Sequence, residues 1–179
     1  MEIGVDGRFF WGLSVGGLDL RAEGLWREDN GGLVLTSDPK PVRPEFRWLG
    51  LSQSPDSPLL IITLPDGRPY TWPTPVVECA DGDLGYGSMD KTGAYRPEQR
   101  CEGPVAITLR RDTYSQEVQT FVLADYGWKL GMTLMLRFEP NDIGVADLTG
   151  AKLIKRDGNF ELQWLNDRQV FRKIAPTSD

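Results

Sequence analysis

Apolar side chains alternate with small or polar ones along much of the chain. Near the N-terminus, Phe9, Trp11, Leu13 and Val15 occupy every second position. A period of two puts such side chains on one face of a half-buried strand. The same alternation predicts further strands in residues 105–109, 130–138 and 160–164.

Turn-forming residues divide these runs, with 20 glycines and 13 prolines in 179 residues. The pairs Asn30-Gly31, Asp66-Gly67 and Asp157-Gly158 can each take the positive φ angles of a type I′ hairpin turn. The third pair lies between two alternating arms, residues 152–156 and 159–164. Residues 115–124 fit either a helix or a strand, and we favour a strand. About a dozen short strands at regular spacing predict an all-β, antiparallel fold that is a sandwich or barrel.

Composition and charge narrow the classes of partner. The chain is 40% hydrophobic and 26% charged, has a net charge of −6 and a pI near 4.8, and is therefore of ordinary globular composition. This acidity argues against nucleic acid or an anionic membrane surface as the main partner. No apolar run approaches the roughly 20 residues of a membrane-spanning helix. Residues 1–6 lack the features of a signal peptide, so we expect either a cytoplasmic protein or a mature chain after signal removal.

Two cysteines, Cys79 and Cys101, flank a polar, glycine-rich segment with few apolar residues of its own. A disulfide between them would contribute about 3 kcal/mol by the loop-entropy estimate. The alternative is two separate buried thiols. We favour the disulfide, which predicts a periplasmic or secreted protein, whereas free thiols would fit a cytoplasmic one.

Turn and strand residues between positions 58 and 139 carry a resemblance to a known family. They are residues 60–69 (LIITLPDGRP), 76–78 (VVE), 81–82 (DG) and 89–95 (MDKTGAY). This part resembles the transthyretin-like, or carboxypeptidase-regulatory-like, β-sandwich module. The resemblance implies a sandwich fold, but it does not determine the function. The purine-catabolite hydrolases of that fold rely on histidines, so their activity does not carry over to this chain.

The expected organisation has three parts. An N-terminal β region covers residues 1–57, a transthyretin-like sandwich covers 58–139, and β hairpins cover 140–179. The C-terminal hairpins can pair with strands of the N-terminal region. The additional strands from both termini would then form a second β unit.

Three patterns match catalytic motifs, and turns explain each of them better. The G-x-S-x-G run at residues 12–16 would need a histidine as base, and the chain contains none. The S-x-x-K and K-T-G patterns share Lys91, whereas in penicillin-binding proteins they are distant segments with different lysines. Without imidazole, two cysteines cannot complete a tetrahedral metal site. We therefore expect a non-enzymatic protein that uses no metal and no cofactor.

Acidic residues cluster around the second DG turn of the resemblance, at residues 81–82. Asp81, Asp83 and Asp90 suggest calcium, but counting from Asp81 puts a threonine where an EF-hand needs glutamate. A solvated turn is the favoured interpretation. Glycosidase chemistry needs only two carboxylates, and the candidate acids are Glu78, Asp81, Asp83, Glu98 and Glu102.

Two aromatic residues, Tyr70 and Trp72, lie in a proline-interrupted segment, PYTWP, at residues 69–73. Exposed aromatic side chains beside a rim of acids are common anchors for a protein or a sugar. The alternative, slightly favoured, is that both cover the bottom of the sandwich. The predicted binding residues are therefore Tyr70, Trp72, Asp81 and Asp83.

The leading functional hypothesis is a non-enzymatic binding or structural protein of bacterial type. A narrower hypothesis is an inhibitor or immunity factor whose acidic face binds a basic enzyme. A carboxylate-based glycosidase is the third.

Overall fold

The computed structural model describes residues 1–53, 57–97, 101, 103–110, 118–157, 159–164 and 167–171. Strands make up 56% of the chain and helix 3%, so the prediction of an all-β fold is confirmed. In chain order the strands are β1 (Glu2–Ile3), β2 (Arg8–Val15), β3 (Leu18–Asp29), β4 (Gly32–Ser37), β5 (Glu45–Gln53), β6 (Leu60–Thr63), β7 (Val76–Cys79), β8 (Leu84–Tyr86), β9 (Ala94–Tyr95), β10 (Pro104–Arg110), β11 (Val118–Val122), β12 (Met132–Glu139), β13 (Lys152–Arg156), β14 (Asn159–Trp164) and β15 (Asp167–Phe171).

The chain divides into two compact units. Unit 1 consists of Met1–Val42 with Gly144–Asp179, and unit 2 consists of Arg43–Ile143. The first unit thus ends earlier than the boundary expected at residue 57, because β5 pairs with β12 from Glu45↔Glu139 to Gln53↔Met132.

Unit 1 is built on one sheet of seven strands in the order β1-β2-β3-β4-β13-β14-β15. All neighbours are antiparallel, and the pairing of β4 with β13 joins the N-terminal and C-terminal segments. Alternate side chains point to one face and form the core of this unit, consistent with the period-two pattern: Phe9, Trp11, Ala22, Leu35, Leu153 and Leu162, with Ala146, Leu148 and Ala151 from the segment before β13.

The sheet of unit 1 is strongly curled. Trp11 on β2 and Trp164 on β14 are four strand positions apart, which would separate them by about 19 Å in a flat sheet. Their ring centroids are only 6.0 Å apart, in an edge-to-face arrangement. The two ends of the sheet therefore bend towards each other and form a half-barrel, and we call its concave side the inner face.

Unit 2 is a sandwich of two four-stranded sheets, β11-β10-β7-β8 and β5-β12-β6-β9. The pair β6–β12 is parallel, whereas the other pairs are antiparallel. Both sheets contribute to one apolar core, which includes Val77, Ile107 and Phe121 from the first and Ile62, Leu134, Leu136 and Phe138 from the second.

The turns test the predicted hairpins. Asn30 and Gly31 both have positive φ angles, 46° and 81°, and join β3 to β4 as predicted. Asp157 also has a positive φ, 49°, between the closing pair Arg156↔Asn159. The predicted type I′ turn at Asp66-Gly67 is wrong, because Gly67 donates to the Leu64 carbonyl at 2.9 Å. Pro65 and Asp66 are thus the central residues, and the negative φ of proline excludes a primed turn.

Two segments refine the strand predictions. The strand favoured in residues 115–124 is confirmed over Val118–Val122, and Leu123–Tyr126 forms a 3₁₀ turn; residues 115–117 lie outside the described residues. Leu130 continues the alternation in the sequence but precedes β12 and is exposed. The reason is a turn in which Met132 donates to the Lys129 carbonyl at 2.9 Å, with Gly131 at a φ of 86°.

Candidate functional site

Tyr70, a predicted binding residue, is part of the core of unit 2. Its ring stacks on Phe138 with centroids 4.3 Å apart and an interplanar angle of 5°, and it also contacts Phe46. Stacking of this kind stabilises the fold. The side chain is partly buried against the core, as the slightly favoured alternative expected.

Trp72, two residues later, has a different environment. Its side chain is 77% exposed, while Pro73 and Pro75, which follow it in the chain, are buried. The alternative in which Trp72 covers the bottom of the sandwich is therefore wrong for this residue. Alternation along the extended segment turns Pro73 and Pro75 inward and leaves Trp72 in solvent.

The acids Asp81 and Asp83 lie in the turn of the β7–β8 hairpin. Asp81 accepts a hydrogen bond from the Asp83 backbone N–H at 3.1 Å, and the Asp83 carbonyl accepts one from Cys79 N–H at 2.9 Å. Both side chains are exposed, as is that of Glu78 on β7. Glu98 and Glu102 lie outside the described residues.

The outer face of the β11-β10-β7-β8 sheet carries a band of exposed apolar side chains. Directly opposed residues of antiparallel strands share a face, and Tyr86 opposes Val76, which opposes Thr108 and then Thr120. The next row runs Leu84, Glu78, Ala106 and Val122. We call the side chains of Val76, Leu84, Tyr86, Val118 and Val122 the docking face.

The docking face is unusually open for side chains of this size. Leu84 is 46% exposed, Tyr86 52%, Val118 52% and Val122 45%, and Val76 between them is half-buried. The Thr108 and Thr120 hydroxyls on β10 and β11 bond to each other at 2.9 Å. Pairing these two hydroxyls with each other lowers the polarity of this side of the face.

The outer face of the other sheet of unit 2 provides a contrast. Arg47 pairs with Glu45 at 2.7 Å on β5, and Arg137 pairs with Glu139 at 2.5 Å on β12. These four residues alternate with the core residues Phe46 and Phe138, so they point outward. Ion pairs suited to water therefore cover part of this face, although β5 also leaves Trp48 49% and Leu49 50% exposed, whereas the docking face has large apolar side chains on both of its edge strands.

Charged residues lie at the two ends of the docking face. Glu78 stands on the face next to Leu84, and Asp81 and Asp83 follow in the adjoining turn. Arg110 lies opposite Val118 at the other end. The apolar band is thus bordered by carboxylates at the end of the hairpin turn.

The predicted disulfide is confirmed: Cys79 and Cys101, which are 22 positions apart in sequence, are bonded, and their Cα atoms are 5.6 Å apart. The loop it closes contains β8, and hence Leu84 and Tyr86. The bond ties the end of β7 to the segment before β10, so it holds the turn end of the hairpin that carries one edge of the docking face.

Asp90 in the same loop has a structural role. Its carboxylate accepts hydrogen bonds from the Thr92 hydroxyl at 2.5 Å, from Thr92 N–H at 2.7 Å and from Ala94 N–H at 3.1 Å. These bonds, with a smaller contribution from the charge of Arg96, lower the pKa of Asp90 below its usual range. Among the residues described, no three Cys, Asp or Glu side chains group closely enough to hold a metal ion.

The residues of the enzyme-like motifs also have structural surroundings. Ser14 lies in β2, where its hydroxyl donates to Asp19 on β3. Lys91 and Thr92 are exposed in the turn that Asp90 caps.

Sequence reasoning found the hairpin acids but missed the apolar band beside them. The alternation of Val118, Thr120 and Val122 was a usable signal of a strand, but it does not say which face is solvated. In the described part of the chain, no helix has the length and apolarity to span a membrane. Comparison of the chain with protein families, with curated proteins and with solved structures finds no match.

Proposed function

We propose that this protein is a non-enzymatic binding protein that holds a basic polypeptide on the docking face of unit 2. The observation that carries the proposal is the set of half-exposed apolar side chains that the docking face presents on both of its edge strands, β8 and β11. On the β5-β12 face, by comparison, two ion pairs point into the solvent. Exposed contiguous apolar side chains with a polar rim are typical of a surface that binds another protein.

The shape of the docking face favours a polypeptide over a small molecule. Four adjacent strands span about 15 Å from β11 to β8. Sites for small molecules are concave and enclose most of the ligand, whereas this face is the outside of a sheet. Tyr86 is the anchor, because aromatic side chains in apolar surroundings contribute most to binding energy, and Leu84 adds apolar area beside it on the same strand.

The charges around the docking face indicate the chemistry of the partner. Glu78 lies on the face, Asp81 and Asp83 lie at its turn end, these three acids outnumber Arg110 at the other end, and the whole chain has a net charge of −6. Opposite charges across an interface accelerate association and select partners. The partner therefore presents apolar side chains flanked by lysine or arginine, as a basic enzyme held by an inhibitor or immunity factor would.

The disulfide supports an exported location. Disulfides persist in the periplasm and outside the cell, where the environment is oxidising. We place the protein in one of these compartments, and the partner it binds there would be met under the same oxidising conditions.

The resemblance to transthyretin-like modules remains a proposal for unit 2. Its support is that the residues carrying it have the expected structural roles. Gly67 and Gly82 have positive φ angles in turns, and Gly93 does so in the corner beside Asp90. Val77 points into the core.

The proposal is tested by placing the photo-crosslinking residue p-benzoylphenylalanine at position 86 of the oxidised, full-length chain. The matched control carries it at position 47, on the outer face of the other sheet. Both proteins are irradiated in extract of the source organism, and crosslinked partners are identified by mass spectrometry. Recombinant partner is then titrated against the protein by calorimetry at about 50 and 500 mM salt, two ionic strengths chosen to separate screened from unscreened attraction.

The expected result is one basic partner, crosslinked from position 86 and not from position 47. Its affinity should fall at least tenfold in Leu84→Ala/Tyr86→Ala, as expected when interface anchors are truncated. Asp81→Asn/Asp83→Asn should remove most of the salt dependence, while the Asn side chain at position 81 can still accept the turn hydrogen bond. An acidic partner, or affinity unchanged in both double variants, would refute the proposal.

A further inference from the structure

Among the described residues, the inner face of the unit 1 half-barrel has an apolar core that one extended segment covers in part. Within the described residues, its cover is the extended segment before β13, which contributes Ala146, Leu148 and Ala151. That segment bonds along the sheet through Ala146 N–H to the Arg21 carbonyl and Gly150 N–H to the Leu35 carbonyl, at 2.8 and 2.9 Å. Several large apolar side chains packed against this core remain partly exposed: Leu13, Leu20, Trp26, Leu33, Phe160 and Trp164.

Three tryptophans of this face differ in how their indole N–H groups are used. Trp26 donates to the Gly4 carbonyl at 2.9 Å, and Trp164 donates to the Asp147 carbonyl at 2.8 Å. Trp11 is fully buried, at 0% exposure, and its Nε1 has no hydrogen-bond acceptor among the described residues. A buried donor without an acceptor lowers the stability of the fold by about 1–3 kcal/mol, so a ligand that supplies an acceptor would recover this free energy.

We propose that the inner face of unit 1 binds an uncharged acyl ester, with the ester carbonyl accepting the hydrogen bond of Trp11 Nε1. The chain of the ligand covers the partly exposed apolar side chains, and its carbonyl oxygen supplies the acceptor that the described residues do not. This site lies in the other unit from the docking face and does not depend on it.

The charge of the lining selects an ester over a free acid. Within the described residues, the buried side chains of the inner face are apolar apart from Ser37, while Lys155, which shares this face with Leu153, is exposed to solvent. A carboxylate bound beside Trp11 would be desolvated among these buried apolar side chains, which is strongly unfavourable without a paired cation. An ester carbonyl satisfies the donor without that penalty.

The ligand reaches Trp11 by displacing a neighbour. Trp11 has no exposed surface, but Trp164, whose ring packs edge-to-face against it, is partly exposed. A shift of Trp164 away from Trp11 opens the space between the two ends of the curled sheet.

The test uses the oxidised full-length chain and the fluorescent apolar probe N-phenyl-1-naphthylamine. The probe is displaced by methyl laurate, by dodecane and by laurate. These three ligands have similar alkyl chains and end in an ester, a methyl group and a carboxylate, respectively. Methyl laurate should bind about fivefold more tightly than dodecane, the value of one net hydrogen bond, and laurate should bind more weakly than the ester. In Trp11→Phe, the affinity for methyl laurate should fall to that for dodecane, while the affinity for dodecane stays unchanged.

Two further variants control for the face and for packing. Phe10→Ala changes the next residue of β2, which is exposed on the opposite side of the sheet, and should leave all affinities unchanged. Leu13→Glu puts a charge on the partly exposed part of the inner face and should abolish binding of probe and ester. Absence of probe binding to the wild-type chain would overturn the proposal, and so would equal affinities for ester and dodecane. The proposal would also be overturned if Trp11→Phe weakened the binding of methyl laurate and of dodecane equally, because Trp11 would then act only through packing. If Trp11→Phe does not fold, the comparison of the three ligands on the wild-type protein decides.

Discussion

Replacing Gly93 with alanine should destabilise unit 2 far more than its place in a surface turn suggests. Gly93 has a φ of +73°, a conformation that L-residues rarely adopt. A Cβ added there would lie 2.5 Å from the Ile62 carbonyl oxygen, which belongs to the backbone of β6 and cannot rotate away. The same corner is held by Ile62 N–H, which donates to the Gly93 carbonyl at 2.8 Å.

Two separate terms contribute to the expected loss. The left-handed backbone alone costs an alanine about 1–2 kcal/mol. Gly67→Ala isolates this term, because Gly67 has a φ of +83° and nothing lies within 4 Å of its added Cβ. At Gly93 the clash can be relieved only if β6 or the turn moves, which weakens the hydrogen bond from Ile62 N–H. The total loss of unfolding free energy in Gly93→Ala should therefore be about 3–4 kcal/mol.

The free energy of unfolding is measured by urea titration of the oxidised proteins, followed by far-UV circular dichroism. Gly93→Ala should lower the unfolding free energy about 2 kcal/mol more than Gly67→Ala does, with the difference assigned to the close backbone approach. The unfolding free energies of the two variants could instead agree to within about 0.5 kcal/mol, the usual range for a neutral surface change. The turn at Gly93 would then accommodate a Cβ without loss of stability, and the reasoning from Cβ distance would be refuted.

Three further predictions concern the disulfide, Asp90 and the two aromatic residues of the proline-rich segment. The double variant Cys79→Ala/Cys101→Ala should lower the unfolding free energy of unit 2 by about 3 kcal/mol, measured by urea titration, and a loss under about 1 kcal/mol would contradict the loop-entropy estimate. Because hydrogen bonds from Thr92 lower the folded-state pKa of Asp90, its charged form stabilises the fold at pH values above the ordinary carboxyl pKa of about 3.9, and this stabilisation is lost as the pH falls through the lower folded pKa. The difference in urea midpoint between wild type and Asp90→Asn should therefore be constant from about pH 5 to 8 and shrink in more acidic solution; a difference independent of pH would argue against this role. Tyr70→Ala should destabilise unit 2 by about 2–3 kcal/mol through loss of the stack on Phe138, whereas Trp72→Ala should change stability by less than about 0.5 kcal/mol. Equal effects of the last two substitutions in thermal unfolding would disprove the different burial of these side chains.

Local chemistry explains which features could be predicted from the sequence. Alternation of apolar residues predicted β2, β12 and β14, because the two faces of a strand differ in solvent contact and the side-chain period is two. The Asn30-Gly31 turn was predictable because both residues tolerate positive φ angles. The Asp66-Gly67 turn was mispredicted, since the preceding proline moved the centre of the turn by one residue.

Other features depend on which strands meet, and alternation carries no such information. Nothing near Gly24 in sequence reveals that a Cβ there would lie 2.1 Å from the Thr36 carbonyl oxygen on β4. Likewise, β5 precedes the expected boundary but pairs with β12, some 80 residues later. Such long-range partners are chosen by the packing of whole sheets.

The sequence by itself determined that this protein is built of strands, where many of its turns lie, and which two cysteines were available to bond. Only the tertiary structure decided that Tyr70 is buried while Trp72 is exposed, that Leu84, Tyr86, Val118 and Val122 share one solvated face, and that Trp11 faces Trp164 across a curled sheet. The physical reason is that a period of two divides the side chains of a strand into two sets. Whether a set meets a core, the solvent or a partner depends on the layer packed against it, which comes from distant parts of the chain.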